Sequence, residues 1–197
     1  MKRILILLLF VCCFVRLAFA QKDSLAVDEN NKLIYYQVVE QPGLTADTLY
    51  SRALYFFDKA YPPGALRLTT ADQSGFKLSG TGAFEVSRKS ALTSHPDGSV
   101  AFTIQVDVKD GKYRYWLTDF VLNPYQRDRY NNFVSVPGIF IPLENRDNKI
   151  SKKDLTGYLD GVLSNSRKIG TTLKQYMQKT SSLKKENKIK KISTKDW

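Results

Sequence analysis

The chain has 197 residues and a formal net charge of +11, with 43% hydrophobic and 25% charged residues, two cysteines and one histidine. That length suffices for one domain with its own core. So little Cys and His excludes a Cys/His zinc site, and two adjacent cysteines cannot staple a fold.

The chain opens with Lys2 and Arg3 ahead of an unbroken apolar run from Ile4 to Val15. The run is shorter than the ~20 residues that cross a bilayer as a helix. Ala18-Phe19-Ala20 then gives the small-x-small pattern that signal peptidase accepts. Residues 1–20 therefore read as a cleavable secretory signal, cut between Ala20 and Gln21. Cys12 follows Val11 rather than a small residue, which argues against lipidation. Cleavage removes Cys12, Cys13 and three positive charges, leaving a thiol-free chain with no membrane-spanning segment. From Gln21 to Asn165 there are 17 Lys+Arg and 17 Asp+Glu, so the remaining excess lies beyond Ser166. A basic stripe can signal nucleic acid, but export makes that partner a poor fit. Anionic envelope material suits the C-terminal lysines better, through a contact that salt would weaken.

Residues 21–31 are polar and read as a loose leader. Lys32 to Glu40 is a strand rich in Leu, Ile, Tyr and Val, broken by Pro42-Gly43. A helix follows. Thr45 caps it, Asp47 favours its first turn, and Leu49, Ala53, Phe56, Phe57 and Ala60 form one apolar face that ends at Pro62-Pro63-Gly64. Ala65 to Ala71 is a strand closed by a turn at Asp72 to Gly75. In the next strand, Phe76, Leu78, Phe84 and Val86 share a face with Gly80 and Gly82. Those glycines indicate a bend or a gap kept open for a ligand.

Ser90 to Ser99 reads as a turn-rich loop carrying His95. The clearest hairpin turns at Asp110-Gly111. Lys109 faces Lys112 beside the turn, and the register then pairs Val108 with Tyr113, Val106 with Tyr115, Ile104 with Leu117 and Phe102 with Asp119 on a core face. Asp107 pairs with Arg114 on the solvated face. Asn123 to Lys149 is irregular, apart from a short strand within Gly138 to Leu143. Ser151 to Lys179 reads as a long helix with Ser151 and Asp154 as a capping box and Gly157 and Gly161 permitting close approach to the sheet. Its buried stripe runs through Leu155, Leu159, Val162, Ser166, Ile169, Leu173 and Tyr176. Residues 32–179 thus form a single domain, and the lysine-rich 180–197 is an expected disordered tail.

Few residues suggest chemistry. His95 has no orienting partner in view, so it offers no general base. No metal-ligand spacing, phosphate loop, nucleophile elbow or dinucleotide fingerprint is visible, and no cofactor or enzymatic activity is expected. The register places Asp119 on the apolar face, where an unpaired carboxylate would be costly. It reads either as a structural carboxylate bonded to a neighbouring loop or as a polar anchor in a ligand cleft. Tyr125, Arg127, Arg129, Tyr130 and Phe133 mix aromatics with arginines, as interaction hot spots do. Loops packed over a sheet edge do the same.

Three stretches carry a resemblance. They are Val38-Val39-Glu40 with Pro42-Gly43-Leu44 ahead of Leu49-Tyr50, then Asp72 through Gly80 and Gly82, then Asp110 to Tyr115. Over Lys32 to Phe120 the chain resembles a family of exported Bacteroidetes proteins, a domain of unknown function with a TBP-like fold. The resemblance implies an α+β fold, a curved antiparallel β-sheet with two helices on one face in the order strand, helix, four strands, helix. It implies no activity. The setting to expect is the periplasm or outer envelope of a Gram-negative bacterium. The role to expect is a non-catalytic binding module that holds an apolar ligand or envelope protein in a sheet–helix cleft lined by Phe76, Leu78, Phe102 and Ile104, or on the 125–133 loop. The alternative is a structural accessory of an envelope assembly, with no small-molecule ligand.

Overall fold

A computed structural model describes residues 25–89, 94–145 and 150–178. The expected signal peptide, its cleavage point at Ala20 and Gln21, and the lysine tail lie outside the described residues. Along the chain run β1 (Ala26–Val27), β2 (Leu33–Glu40), α1 (Ala46–Lys59), β3 (Leu66–Asp72), β4 (Lys77–Lys89), β5 (Ser94–Lys109), β6 (Lys112–Arg127), β7 (Phe133–Ser135), β8 (Ile141–Pro142) and α2 (Lys152–Gln178). One antiparallel sheet has the order β1-β2-β6-β5-β4-β3, and β7 and β8 pair with the far part of β6. Both helices pack on one side of it, as expected.

The turn at Asp110-Gly111 sets the centre of the sheet. Gly111 has φ +72°, which a two-residue hairpin turn demands. From it the β5–β6 register runs as expected through Lys109–Lys112, Val108–Tyr113, Val106–Tyr115 and Ile104–Leu117. On the solvated face Arg114 donates from Nε and Nη2 to Asp107 Oδ2, at 3.0 and 2.7 Å. The turn also anchors α1. Asp110 Oδ1 accepts the Ala46 amide at 2.7 Å, and Thr45 caps the same helix by accepting the Thr48 amide.

The core lies between this sheet and the helices. Leu49, Ala53 and Phe56 of α1, Val100, Ile104 and Val106 of β5, and Val162 and Leu173 of α2 are all fully buried. The helices are joined at one end. Arg52 donates to the Met177 carbonyl at 2.6 Å, satisfying an orphan acceptor at the end of α2, and Tyr176 donates to the Lys59 carbonyl at 3.0 Å. Ser151 and Asp154 form the expected cap, with the Asp154 amide on Ser151 Oγ at 3.1 Å. Of the two glycines expected to approach the sheet, Gly161 does, facing Val86 at 3.2 Å, whereas a Cβ on Gly157 would meet nothing within 4 Å. A third, Gly170, lies against the Tyr115 hydroxyl.

Three segments are more regular than their sequences suggest. The leader is not loose throughout, because Ala26 and Val27 pair with Ile34 and Leu33. His95 sits in β5 rather than in a loop, opposite Arg88. The β4–β5 ladder continues because Asp97 is an extra residue between the pairs Val86–Gly98 and Ser87–Pro96, a bulge that lets the strand absorb Pro96. Asn123 to Arg127 is not irregular but the end of a 16-residue strand. The local turn chemistry of all three was readable. The long-range partners that make them strands were not.

Candidate interaction surface

The expected sheet–helix cleft is core. Leu78, Phe102 and Ile104 are buried, and Phe76 packs against the same cluster. The space beside the two strand glycines is taken. A Cβ on Gly80 would lie 2.5 Å from the Phe57 ring and 2.7 Å from the Arg67 carbonyl, and one on Gly82 2.7 Å from the Phe102 ring. These glycines admit aromatic rings and a neighbouring backbone, not a ligand.

Asp119 is not on the apolar face. Thr103 pairs with Thr118 and Ala101 with Val121, so two residues of β6 oppose Phe102 alone. This is a β-bulge, and Asp119 takes the left-handed conformation at φ +55°, which Asp tolerates better than most residues. The extra residue hands the core position to Phe120, which is fully buried. Asp119 turns out to a half-exposed ion pair with Lys32. The hydrogen bond and charge of Asp119, with smaller contributions from Glu144 and Asp28, raise the Lys32 ammonium above its usual pKa. The pair ties the start of β2 to the bulge, which fits the structural reading of this carboxylate.

The Tyr125–Phe133 residues form an arm at the far end of β6. Tyr125, Gln126 and Arg127 pair with Ser135, Val134 and Phe133 of β7. Asp128 closes the turn by accepting the Tyr130 and Asn132 amides, both at 2.8 Å, while Asn131 supplies the positive φ of +66°. Those amides hold the Asp128 carboxyl below its usual range. The same device closes the β1–β2 turn, where Asp28 accepts the Asn30 and Lys32 amides and Asn31 has φ +59°.

The Phe133 ring stacks on His95, centroids 5.6 Å apart and planes 8° from parallel. The Arg127 guanidinium lies 4.5 Å from the same ring. Arg129 lies over Tyr130 at 4.8 Å, and Tyr130 itself is 69% exposed. The structure thus splits the five expected residues. Tyr125 and Arg127 hold the arm together and Phe133 fixes it to β5 through His95, whereas Arg129 and Tyr130 face solvent. Sequence reading missed three further exposed apolar side chains, Val134, Ile139 and Phe140. Between Gly138 and Pro142 lie only Ile139, Phe140 and Ile141, of which Ile141 enters β8; so short an apolar run was the available signal.

A polar network also went unnoticed. Arg88 donates to Asp97 at 3.1 Å and approaches Asp154 at 3.6 Å, and the Tyr158 hydroxyl donates to Asp97. It joins the first turns of α2 to the Asp97 bulge. Burial, reinforced by the bond to Asp97, pushes the Tyr158 phenol up to about 12. Among the described residues no group of three or more His, Cys, Asp or Glu could hold a metal, and no helix is long and apolar enough to cross a membrane.

An antiparallel curved sheet backed by two helices on one face defines a TBP-like α+β domain. Residues 35–123 match the family described as a domain of unknown function (DUF4468) with TBP-like fold. The matched stretch ends before the arm. Two crystal structures share the fold. One is a DUF4468 family protein from Bacteroides ovatus ATCC 8483, with a TM-score of 0.59 and 13% identity over 79% of this chain and 91% of that one. The other is a TBP-like protein from Parabacteroides distasonis ATCC 8503, with a TM-score of 0.59 and 12% identity over 79% of this chain and 99% of that one. No curated protein matches the chain.

Proposed function

We propose that this protein is an exported, non-catalytic interaction module of the cell envelope that engages a protein partner through the arm after β6. The observation that carries this reading is the clustering of Tyr130, Val134, Ile139 and Phe140. These are four of the seven large hydrophobic side chains exposed among the described residues, and they fall within eleven positions. Single exposed apolar residues are ordinary, but a concentration beside arginines suits a docking surface. Packed aromatics where a ligand cleft was expected favour the accessory reading over a small-molecule carrier. Export is supported by Lys2-Arg3, the apolar run and Ala18-Phe19-Ala20.

The test compares the protein with its Tyr130→Ser/Phe140→Ser variant, each recovered from its native envelope and weighed by native mass spectrometry. The expected result is a co-purifying protein that the variant loses, with the melting temperature unchanged because both side chains are exposed. A partner retained by the variant, or a small apolar molecule held instead, would overturn the reading.

A further inference from the structure

The charge of the chain is unevenly distributed, and α2 decides where the surplus leaves the domain. From Gln21 to Asn165 the 17 Lys+Arg and 17 Asp+Glu cancel. From Ser166 onward there are 10 Lys+Arg against Glu186 and Asp196. The body therefore holds no surplus of acid to neutralise this segment, and its excess must meet solvent ions or an anionic partner. Three of the cations, Arg167, Lys168 and Lys174, lie on α2, whose sequence after Asp160 has no acidic side chain. Arg167 and Lys168 are exposed. The other seven fall between Lys179 and Lys195, outside the described residues.

Both ends of α2 are fixed. At its start the Tyr158 hydroxyl donates to Asp97, and Arg88 bridges Asp97 and Asp154. Asp97 is two residues from His95, on which Phe133 of the arm stacks. Further along, Gly170 lies against Tyr115. At its end Arg52 holds the Met177 carbonyl, and Tyr176 holds the Lys59 carbonyl of α1. The first turns of α2 and the arm thus share the end of the domain where Gly98 meets Pro124, and the chain leaves α2 toward the other end. A helix of 27 residues spans about 40 Å.

We propose that residues 179–197 hold the protein on an anionic phospholipid surface, with α2 as the strut that keeps the arm at the far end of the domain. The lysines supply the attraction, each strengthening binding about fivefold close to such a surface. The apolar residues among them select lipid over a soluble polyanion. Leu183, Ile189, Ile192 and Trp197 are interspersed with the lysines, and side chains of this kind enter the headgroup boundary while lysines stay at its surface. A dissolved polyphosphate offers them nothing to enter. The tether stands whether or not the arm docks a partner, and its test is independent of the one above.

Co-sedimentation of the protein recovered after export, with vesicles of phosphatidylglycerol mixed with phosphatidylcholine and of phosphatidylcholine alone, tests this. The expected result is binding to the mixed vesicles that salt weakens, and binding at least about tenfold weaker to phosphatidylcholine alone. Replacing Lys184, Lys185, Lys190 and Lys191 together by Gln should weaken vesicle binding about a hundredfold or more. Ile189→Ser with Ile192→Ser should weaken vesicle binding and leave binding to soluble polyphosphate unchanged. All six positions lie beyond α2, and circular dichroism of the variants confirms that they are folded. Orientation is read separately. The cysteines of the chain, Cys12 and Cys13, both fall in the expected signal, so Ser135→Cys or Gln178→Cys places one fluorophore on the arm or at the end of α2. Spin-labelled lipid headgroups should quench it strongly at 178 and not at 135. Equal binding to the two kinds of vesicle, a lysine or isoleucine variant that binds vesicles as the wild type does, or equal quenching at the two positions would each overturn the proposal.

Discussion

Strand β6 has two halves that were read from the sequence with opposite success. From Lys112 to Leu117 it lies between β2 and β5, and every β5 partner follows from the Asp110-Gly111 turn. From Asp119 to Arg127 it lies between β5 and the short β7 and β8, and the register inherited from the turn is wrong by one residue. Strand alternation carries information outward from a turn only until a bulge intervenes, because one extra residue exchanges the two faces. The bulge did leave a trace. Leu117, Phe120 and Leu122 are separated by three and then two positions, and a strand that keeps its core face through such spacing must contain an extra residue.

The strongest way to break this comparison is to empty the position that the bulge awards to the core. Phe120→Ala should cost about 3–5 kcal/mol, comparable to a large truncation at Leu117 in the other half, because both side chains are fully buried. Urea unfolding of the two variants measures it. A loss below about 1 kcal/mol at Phe120 would mean that the unbulged register holds after all, with Asp119 facing the core.

What else was legible follows the same division between local and distant causes. Thr45, Asp47 and the 3.6-residue spacing of Leu49, Ala53 and Phe56 specify α1 without reference to anything outside it. The two-residue strand β1 and three-residue β7 have no periodicity to detect and exist because Asp28 and Asp128 fold the chain back onto a neighbour. In the site, the Arg and aromatic composition of residues 125–133 was visible. That Phe133 would be taken up by His95, leaving Tyr130 outside, depends on where β5 begins. Gly170 is similar. Nothing in the helix marks it, and its reason is Tyr115 on the sheet.

Base should distinguish the halves next. Tyr113 belongs to the first half, and burial raises its phenol well above the usual tyrosine range. Tyr158 braces the Asp97 bulge close to the second half, where Gly98 meets Pro124, and its phenol is raised to about 12. A phenol whose folded pKa exceeds its unfolded one favours the fold while neutral. That stability is fully present below about pH 10 and is lost as pH rises through the folded value. Melting temperature should therefore fall above about pH 10, and Phe at either position should flatten the fall. At pH 7 the two replacements diverge. The Tyr113 hydroxyl has no hydrogen-bond partner among the described residues, so Tyr113→Phe should be neutral or stabilising by up to about 1 kcal/mol. Tyr158→Phe abandons Asp97 and should lower the melting temperature.

The finest distinctions lie at the bulge residue itself, and there the backbone and the ion pair can be separated. Asp119 has φ +55° and bonds Lys32. Gly accepts that conformation freely, Asn tolerates it, and a β-branched residue is strained in it by about 1–2 kcal/mol. Asp119→Val should therefore be the most destabilising of the three, with Asp119→Asn close to wild type because a surface ion pair contributes little. Asp119→Gly should lie between them, losing the carboxylate but relieving the backbone. Differential scanning calorimetry in low and high salt orders the series, since only the charge component should respond to screening. If Asn were as damaging as Val at low salt and recovered at high salt, the carboxylate would be what holds the bulge. The two halves of β6 would then differ by electrostatics rather than by one residue of register.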